Sequence, residues 1–220
     1  MRPVVFMTAA ILLAGPVAVC GAEAQAFAAE RHYVLEPASC TVTVEGTSTM
    51  HGWEAKAREI RGELALNETD RALLASRPAA SPQALSPAAH IEIPVRALTS
   101  GKDTMDKNMW LTLKSQDYPV IDYKLASAEI VPFQNGEAGR VRLRTKGLLA
   151  VAGKSREIEI PMELQSLPNG GLKVTGETSL KMSDFGINPP KFMMGMLRVG
   201  NDVRVRWTCV LVPAGKGDTS

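Results

Sequence analysis

The sequence predicts an all-β protein: an eight-stranded antiparallel barrel with a short amphipathic helix set between two of its strands. Three observations carry that prediction. Apolar and polar residues alternate along about eight stretches of the chain, so each makes a strand with one dry and one wet face. Most of these stretches are joined by short connections rich in Gly, Pro and Asn. So many one-sided strands satisfy their edges best by closing on themselves, and eight strands enclose enough space for one small ligand.

Composition narrows the alternatives. The 220 residues are 45% hydrophobic with a net charge of +2, and acids and bases are interleaved, which argues against a nucleic-acid partner. Mean hydropathy near zero excludes a polytopic helical membrane protein. An outer-membrane barrel would turn the apolar faces outward between aromatic girdles, and aromatics make up only 5% of the chain.

The chain starts MRPVVFMTAAILLAGPVAVCGAEAQA, with Arg2, an apolar run from Val4 to Val19, and then small residues. Ala22-Glu23-Ala24 and Ala24-Gln25-Ala26 both fit an A-x-A cleavage pattern, so residues 1–26 read as a secretory signal peptide and lie outside the fold. The short flank argues against a retained membrane anchor, and Val19 ahead of Cys20 argues against a lipoprotein site. A periplasmic or secreted barrel domain over residues 31–213 is expected. It keeps two cysteines, Cys40 and Cys209, a disulfide candidate in an oxidising compartment, with two separate buried thiols as the alternative.

Element by element, residues 33–37 and 39–47 form the first extended region, with Cys40, Val42 and Val44 on one face, and GTSTMHG (46–52) breaks it. The second strand, 53–66, places Ile60, Gly62, Leu64 and Leu66 together, although Lys56 and Arg58 spoil its start. Residues 67–87 lose periodicity. Pro78, Pro82 and Pro87 preclude a central strand, so an exposed Ala/Pro-rich insertion is expected, with a short helix near 70–75. Residues 90–98 alternate again, with Ile91, Ile93, Val95 and Ala97 inward.

The period then changes. Met105, Met109 and Leu113 recur every four residues beside Trp110, after a start at Ser100 or Asp103 that suits a helix N-terminus. A strand from Val120 carries Ile121, Tyr123 and Leu125 on one face and runs on raggedly to Val131. In RVRLRTKGLL (140–149), Val141, Leu143, Thr145, Gly147 and Leu149 oppose Arg140, Arg142, Arg144 and Lys146. The next strand sets Ile158, Ile160, Met162 and Leu164 against Glu157, Glu159 and Glu163, acids that would face those bases across an antiparallel pair. Pro168-Asn169-Gly170-Gly171 signals a hairpin into the alternation of 172–182. A loop with Pro189-Pro190 leads to the last strand, where Val203, Val205, Trp207, Cys209 and Leu211 face inward. In a closed barrel the first and last strands are neighbours, which could bring Cys40 and Cys209 together.

Catalytic signals are poor. His32, His51 and His90 lack metal-site spacing, there is no G-x-S-x-G elbow, and no nucleophile–base constellation points to an enzyme. No metal site is expected. Phe192-Met193-Met194-Gly195-Met196 is the unusual cluster. Its thioethers could serve copper, but lining an apolar cavity is the favoured reading because no Cys or His is near in sequence.

The blocks YVLEPASCTVTVEGTSTMHGW, IEIPVRALTSGKDTMDKNMWLTLKSQDYPVIDYKL, GLLAVAGKSREIEIPMEL and MSDFGINPP…MMGMLRVGNDVRVRW, taken together, resemble the YceI-like family of exported polyisoprenoid-binding proteins from about Tyr33 to Leu211. The resemblance implies a lipocalin-like barrel whose interior holds an isoprenoid tail, polyprenyl or quinone-like, or a similar amphiphile. It implies no catalysis and no cofactor beyond such a bound lipid. No nucleic-acid partner is expected from the charge pattern, at most transient membrane contact is expected, and homodimerisation stays open. The expected pocket lining is Val141, Leu143, Thr145, Gly147, Leu149, Ile158, Ile160, Met162, Val174 and Leu180, with Met105, Met109, Trp110 and Leu113 of the helix and Phe192, Met193, Met194 and Met196 of the loop. The small Thr145 and Gly147 are expected to leave room for the ligand. The alternative is an exported copper-binding or stress-response module that uses the Met loop and takes no lipid.

Overall fold

Each dry-faced stretch becomes a strand, and the strands run as a meander that closes on itself. The computed structural model describes residues 30–76, 81–132 and 139–215. The expected signal peptide, Pro78 and residues 133–138 of the turn after Val131 lie outside the described residues. The strands are β1 (Arg31–Leu35), β2 (Thr41–Ser48), β3 (Gly52–Ala57), β4 (Arg61–Leu66), β5 (Gln83–Leu85), β6 (Ala88–Pro94) and β7 (Leu98–Thr99). There follow β8 (Val120–Val131), β9 (Arg140–Val151), β10 (Lys154–Ser166), β11 (Leu172–Lys181), β12 (Lys191–Phe192) and β13 (Leu197–Pro213). Two α-helices interrupt them, α1 (Glu68–Ala75) and α2 (Asp103–Thr112).

These strands make eight staves. β1 and β2 share one edge of β13, with Leu35 opposite Leu211 and Thr41 opposite Thr208, so they form one stave kinked by the 3-10 turn Pro37–Ser39. β3 and β4 form the second, paired to β2 and β1 respectively. β5 and β6 both lie along β8, and β7 continues them along β3, giving the third. β8, β9, β10, β11 and β13 follow in chain order, and β13 returns to β1, with Tyr33 opposite Pro213. All these pairings are antiparallel, and the barrel is closed.

The kinks reset which residues face inward. Tyr33 and Leu35 are buried before the Pro37 turn, Cys40 and Val42 after it, so the inward set moves from odd to even numbers. The second stave does the same between Ala55 and Ala57 on one side and Leu64 and Leu66 on the other. Lys56 and Arg58 therefore do not spoil the alternation; they sit before a phase change. β8 switches by an irregularity in register between Leu125 and Ser127, beyond which Ala128 and Ile130 face in. Pro37 and Pro94 flank kinks because neither can donate to a ladder.

The longest ladder joins β9 to β10, from Val151 opposite Lys154 to Arg140 opposite Gln165. On its outer face Glu163 accepts from Arg140 at 2.7 Å and Arg142 at 3.4 Å, and Arg144 lies 3.5 Å from Glu159. Partly exposed pairs of this kind add little stability each, but they oppose a slip in register.

One end of the barrel is closed by apolar packing. Val141, Ile130 and Leu164 are buried there, with Leu74 of α1 and Leu85 of β5 over them. The described part of the insertion is largely exposed, as its prolines suggest, and carries the expected short helix, but Leu74 and Leu85 anchor it inward. Asn67 caps α1 by accepting from the Asp70 backbone N–H at 2.8 Å, and the buried Asp70 carboxylate accepts from the Ser86 N–H at 3.1 Å, holding Leu74 and Leu85 inward. Cys40 and Cys209 form a disulfide across the seam between the first and last staves.

At the other end β8 begins only at Val120, opposite Pro94, so β7 passes beyond it. Helix α2 covers that flank. Trp110 donates its indole N–H to the Leu98 carbonyl at 2.9 Å, and Arg96 stacks 5.7 Å from the ring centre. The helix starts at Asp103, and Ser100 braces it from outside: its N–H and hydroxyl both donate to the buried Asp106 carboxylate at 2.6 Å.

Candidate functional site

The staves leave a cavity of about 1,150 Å³ along the barrel. Its floor is the packed end near Leu74, Leu85 and Leu164; its mouth lies among residues 48–53, the start of α2, and Pro190, Phe192 and Leu197. A cavity of this size exceeds the usual span of drug-sized pockets and suits a long ligand. The twelve residues of β9 alone extend roughly 40 Å at about 3.4 Å per residue.

Most of the expected lining is where the alternation puts it. Leu143, Thr145 and Leu149 of β9 line the cavity, as do Ile158, Ile160 and Met162 of β10 and Val174 and Leu180 of β11. Met105 and Met109 of α2 and Leu113 just after its end face it as well, and Phe192 stands at its mouth.

Five expected residues do not line it. Val141 is 1% exposed and belongs to the packed floor, below the open space. Trp110 is spent on Leu98 and Arg96, on the flank of the barrel. Met194 and Met196 are bare to solvent because the chain reverses through Met194 and Gly195, both at positive φ, and turns these side chains outward. The backbone of Met193 lies in the same turn, and its side chain is outside the described residues.

Gly147 is the fifth, and its case overturns the expected gap. A Cβ at 147 would lie 2.5 Å from the Tyr123 ring and hydroxyl and 2.6 Å from the Lys124 carbonyl. The space beside Gly147 is filled by the tyrosine of the neighbouring strand. The same device recurs twice. The indole of Trp53 lies over Gly46, directly opposite it on β2 and β3, and that of Trp207 over Gly176 on β11 and β13. Three aromatic rings thus lie on bare backbone at glycines, and all three line the cavity. A ring seated on a glycine takes less of the lumen than one standing on a full side chain. Tyr123 and Trp207 belong to the inward faces read from the sequence but are absent from the expected lining; an inward aromatic with Gly on the adjacent strand is the pattern that would find them.

The wall is almost wholly apolar. Thr145 gives its proton to the Ile160 carbonyl at 2.8 Å. The Tyr123 hydroxyl is buried without a well-formed hydrogen bond; burial pushes its pKa up, and a weak contact with the Thr145 side chain partly offsets the rise. The histidines stand away from the deep cavity. His51 is at the mouth with its Nδ1 2.7 Å from the Gly52 carbonyl. His90 bonds Asp122 on the side of β6 and β8 away from the cavity, where Glu92 is 3.8 Å away. The deep wall therefore offers an apolar molecule buried area more than polar contacts.

A family model described as the YceI-like domain matches residues 33–211. No curated protein matches the chain. Among solved structures, BcnA of Burkholderia cenocepacia superposes with a TM-score of 0.61 at 13% identity, over 80% of this chain and 98% of its own. A polyisoprenoid binding domain from Saccharophagus degradans, implicated in plant cell wall breakdown, superposes with a TM-score of 0.59 at 13% identity, over 83% of this chain and 98% of its own. At such identity the likeness is one of fold.

Proposed function

The chain belongs to the YceI-like domain family, and from that premise we propose that it is an exported carrier holding an isoprenoid, polyprenyl or quinone-like, inside its barrel. The observation that carries this reading is the apolar cavity of about 1,150 Å³, closed at the Leu74–Leu85 end and open at the other. A long hydrocarbon tail inside it gains about 25 cal/mol for each Å² removed from water, before the cost of ordering the chain. The similar fold of a polyisoprenoid binding domain supports the same ligand class. The signal-like residues 1–26 and the Cys40–Cys209 bridge support an oxidising compartment. The protein binds its ligand without altering it.

The test is organic extraction of the purified protein followed by lipid mass spectrometry, with direct titration of a polyprenyl alcohol and an isoprenoid quinone. The expected result is a co-purifying isoprenoid and saturable binding. Val174→Trp/Val205→Trp, which places two indoles in the lumen, should keep the β-sheet circular dichroism spectrum and lose most of the bound lipid. A protein that carries no lipid and binds neither probe would overturn the reading.

A further inference from the structure

Among the described residues eight large hydrophobic side chains are exposed, and three of them stand together on two touching loops: Met50 at 71%, Met194 at 107% and Met196 at 80%. The loops are laced by Thr49, whose hydroxyl donates to the Met196 carbonyl and whose N–H donates to the Arg198 carbonyl, both at 3.0 Å. They are also the rim of the cavity: Met50 and His51 from one loop and Phe192 and Leu197 from the other border the opening.

The charge on this rim is one-sided. Residues 46–52 and 186–201 contain no Asp or Glu, but they contain His51, Lys191 and Arg198. Lys191 and Arg198 are exposed and stand opposite each other on β12 and β13, flanking the methionine turn. Across the mouth, Lys102 is offset by Asp103 at the start of α2, and on the flank Asp202 is paired with Lys181 at 3.2 Å. The rim as a whole joins bare thioether side chains to net positive charge.

We infer that the mouth of the barrel docks on an anionic lipid bilayer, with Met50, Met194 and Met196 entering the headgroup–acyl boundary and Lys191 and Arg198 meeting lipid phosphates. This rests on the reading of the barrel as an isoprenoid carrier. Such a cargo resides in a membrane before loading and after delivery, and carrying it through water exposes every methylene. A rim pressed on the bilayer joins the membrane interior to the cavity without that exposure. Unbranched, flexible methionines adapt to a fluid surface that offers no fixed pockets. The basic pair supplies the second attraction that shallow membrane binding needs.

The experiment is flotation with vesicles of phosphatidylcholine, alone or with phosphatidylglycerol at about a third of the lipid, together with transfer of a fluorescent polyprenyl probe between vesicles. The wild-type protein should float with the anionic vesicles and less with the neutral ones. Met194→Ser/Met196→Ser should bind them at least about ten-fold more weakly and transfer the probe correspondingly more slowly. It should still bind probe delivered from detergent, because neither side chain lines the cavity. Lys191→Glu/Arg198→Glu should abolish the preference for phosphatidylglycerol. Wild-type protein that ignores vesicles, or serine variants that float and transfer unchanged, would overturn the inference. So would a concentration-dependent dimer that the serine variant dissolves without any vesicle binding, since the rim would then meet a second copy. Loss of detergent-delivered binding in the wild-type protein would instead count against the carrier reading itself, so the two failures are distinguishable.

Discussion

The Tyr123 ring occupies the place where any side chain at position 147 would begin, 2.5 Å from the Cβ that Gly147 lacks. The two residues sit on adjacent strands in diagonal register, Tyr123 opposite Leu149 and Leu125 opposite Gly147. Neither can change size without moving the wall of the cavity. Gly147→Ala should therefore destabilise the barrel by about 1–3 kcal/mol, because the Lys124 carbonyl as well as the ring must give way. Urea unfolding checks this, and a loss smaller than a few tenths of a kcal/mol would contradict it.

Removing the tyrosine hydroxyl should have the opposite tendency. That oxygen is buried and makes no well-formed hydrogen bond, so Tyr123→Phe deletes a desolvated polar atom and at most a weak contact with Thr145. Stability should stay level or rise by up to about 1 kcal/mol, with isoprenoid binding retained. A marked loss of stability would reveal a partner for the hydroxyl, with Thr145 the nearest candidate.

The Cys40–Cys209 bridge spans a sequence separation of 169 residues, and closing so long a loop restricts the unfolded chain strongly. Cys40→Ser/Cys209→Ser, or reduction of the wild-type protein, should lower unfolding free energy by up to about 5 kcal/mol on the chain-entropy estimate. Guanidinium unfolding with and without reductant measures it. Coincident curves would show that the seam between the first and last staves holds without the bond.

Glu163 sits between Arg140 and Arg142, whose guanidiniums hold its carboxyl below the usual range; Arg140 acts most strongly, with slight burial opposing. A depressed folded pKa stabilises the protein above the unfolded value and is lost as pH falls through the folded one. The wild-type protein should therefore exceed Glu163→Gln in stability at neutral pH, by less than about 1 kcal/mol for so exposed a pair, and the advantage should vanish once acid has protonated the depressed carboxyl. Denaturant midpoints from neutral to acid pH test the sign.

Much of the barrel can be read from alternation, because a dry face is a local property of five or six residues. The β9 and β10 pairing is the clearest case: bases on one strand and acids on the next announce both the neighbours and the register. What a residue's own parity cannot show is what fills the space beside it. Gly147 looks like room for a ligand until the register of β8 brings Tyr123 alongside. Met194 shares its neighbours' composition, yet successive positive φ angles at Met194 and Gly195 turn it outward. Leu74 and Leu85 are hidden in a proline-rich stretch because their burial depends on the Asp70–Ser86 contact, made between residues sixteen apart. Trp110 fits the apolar stripe of its helix, but the Leu98 carbonyl on the edge of β7 claims its N–H.

The single strand β13 borders β11 on one edge and β1 and β2 on the other. The ring therefore has its keystone at the end of the meander. Until residues 197–213 are in place, the early staves have no lateral partner on that side, and the sheet remains an open ribbon with its apolar face exposed to water. Contacts of such long sequence separation carry a large loop-closure cost, which slows the closing of the ring. Loss of β13 would therefore open the cavity along its length, whatever the state of the mouth.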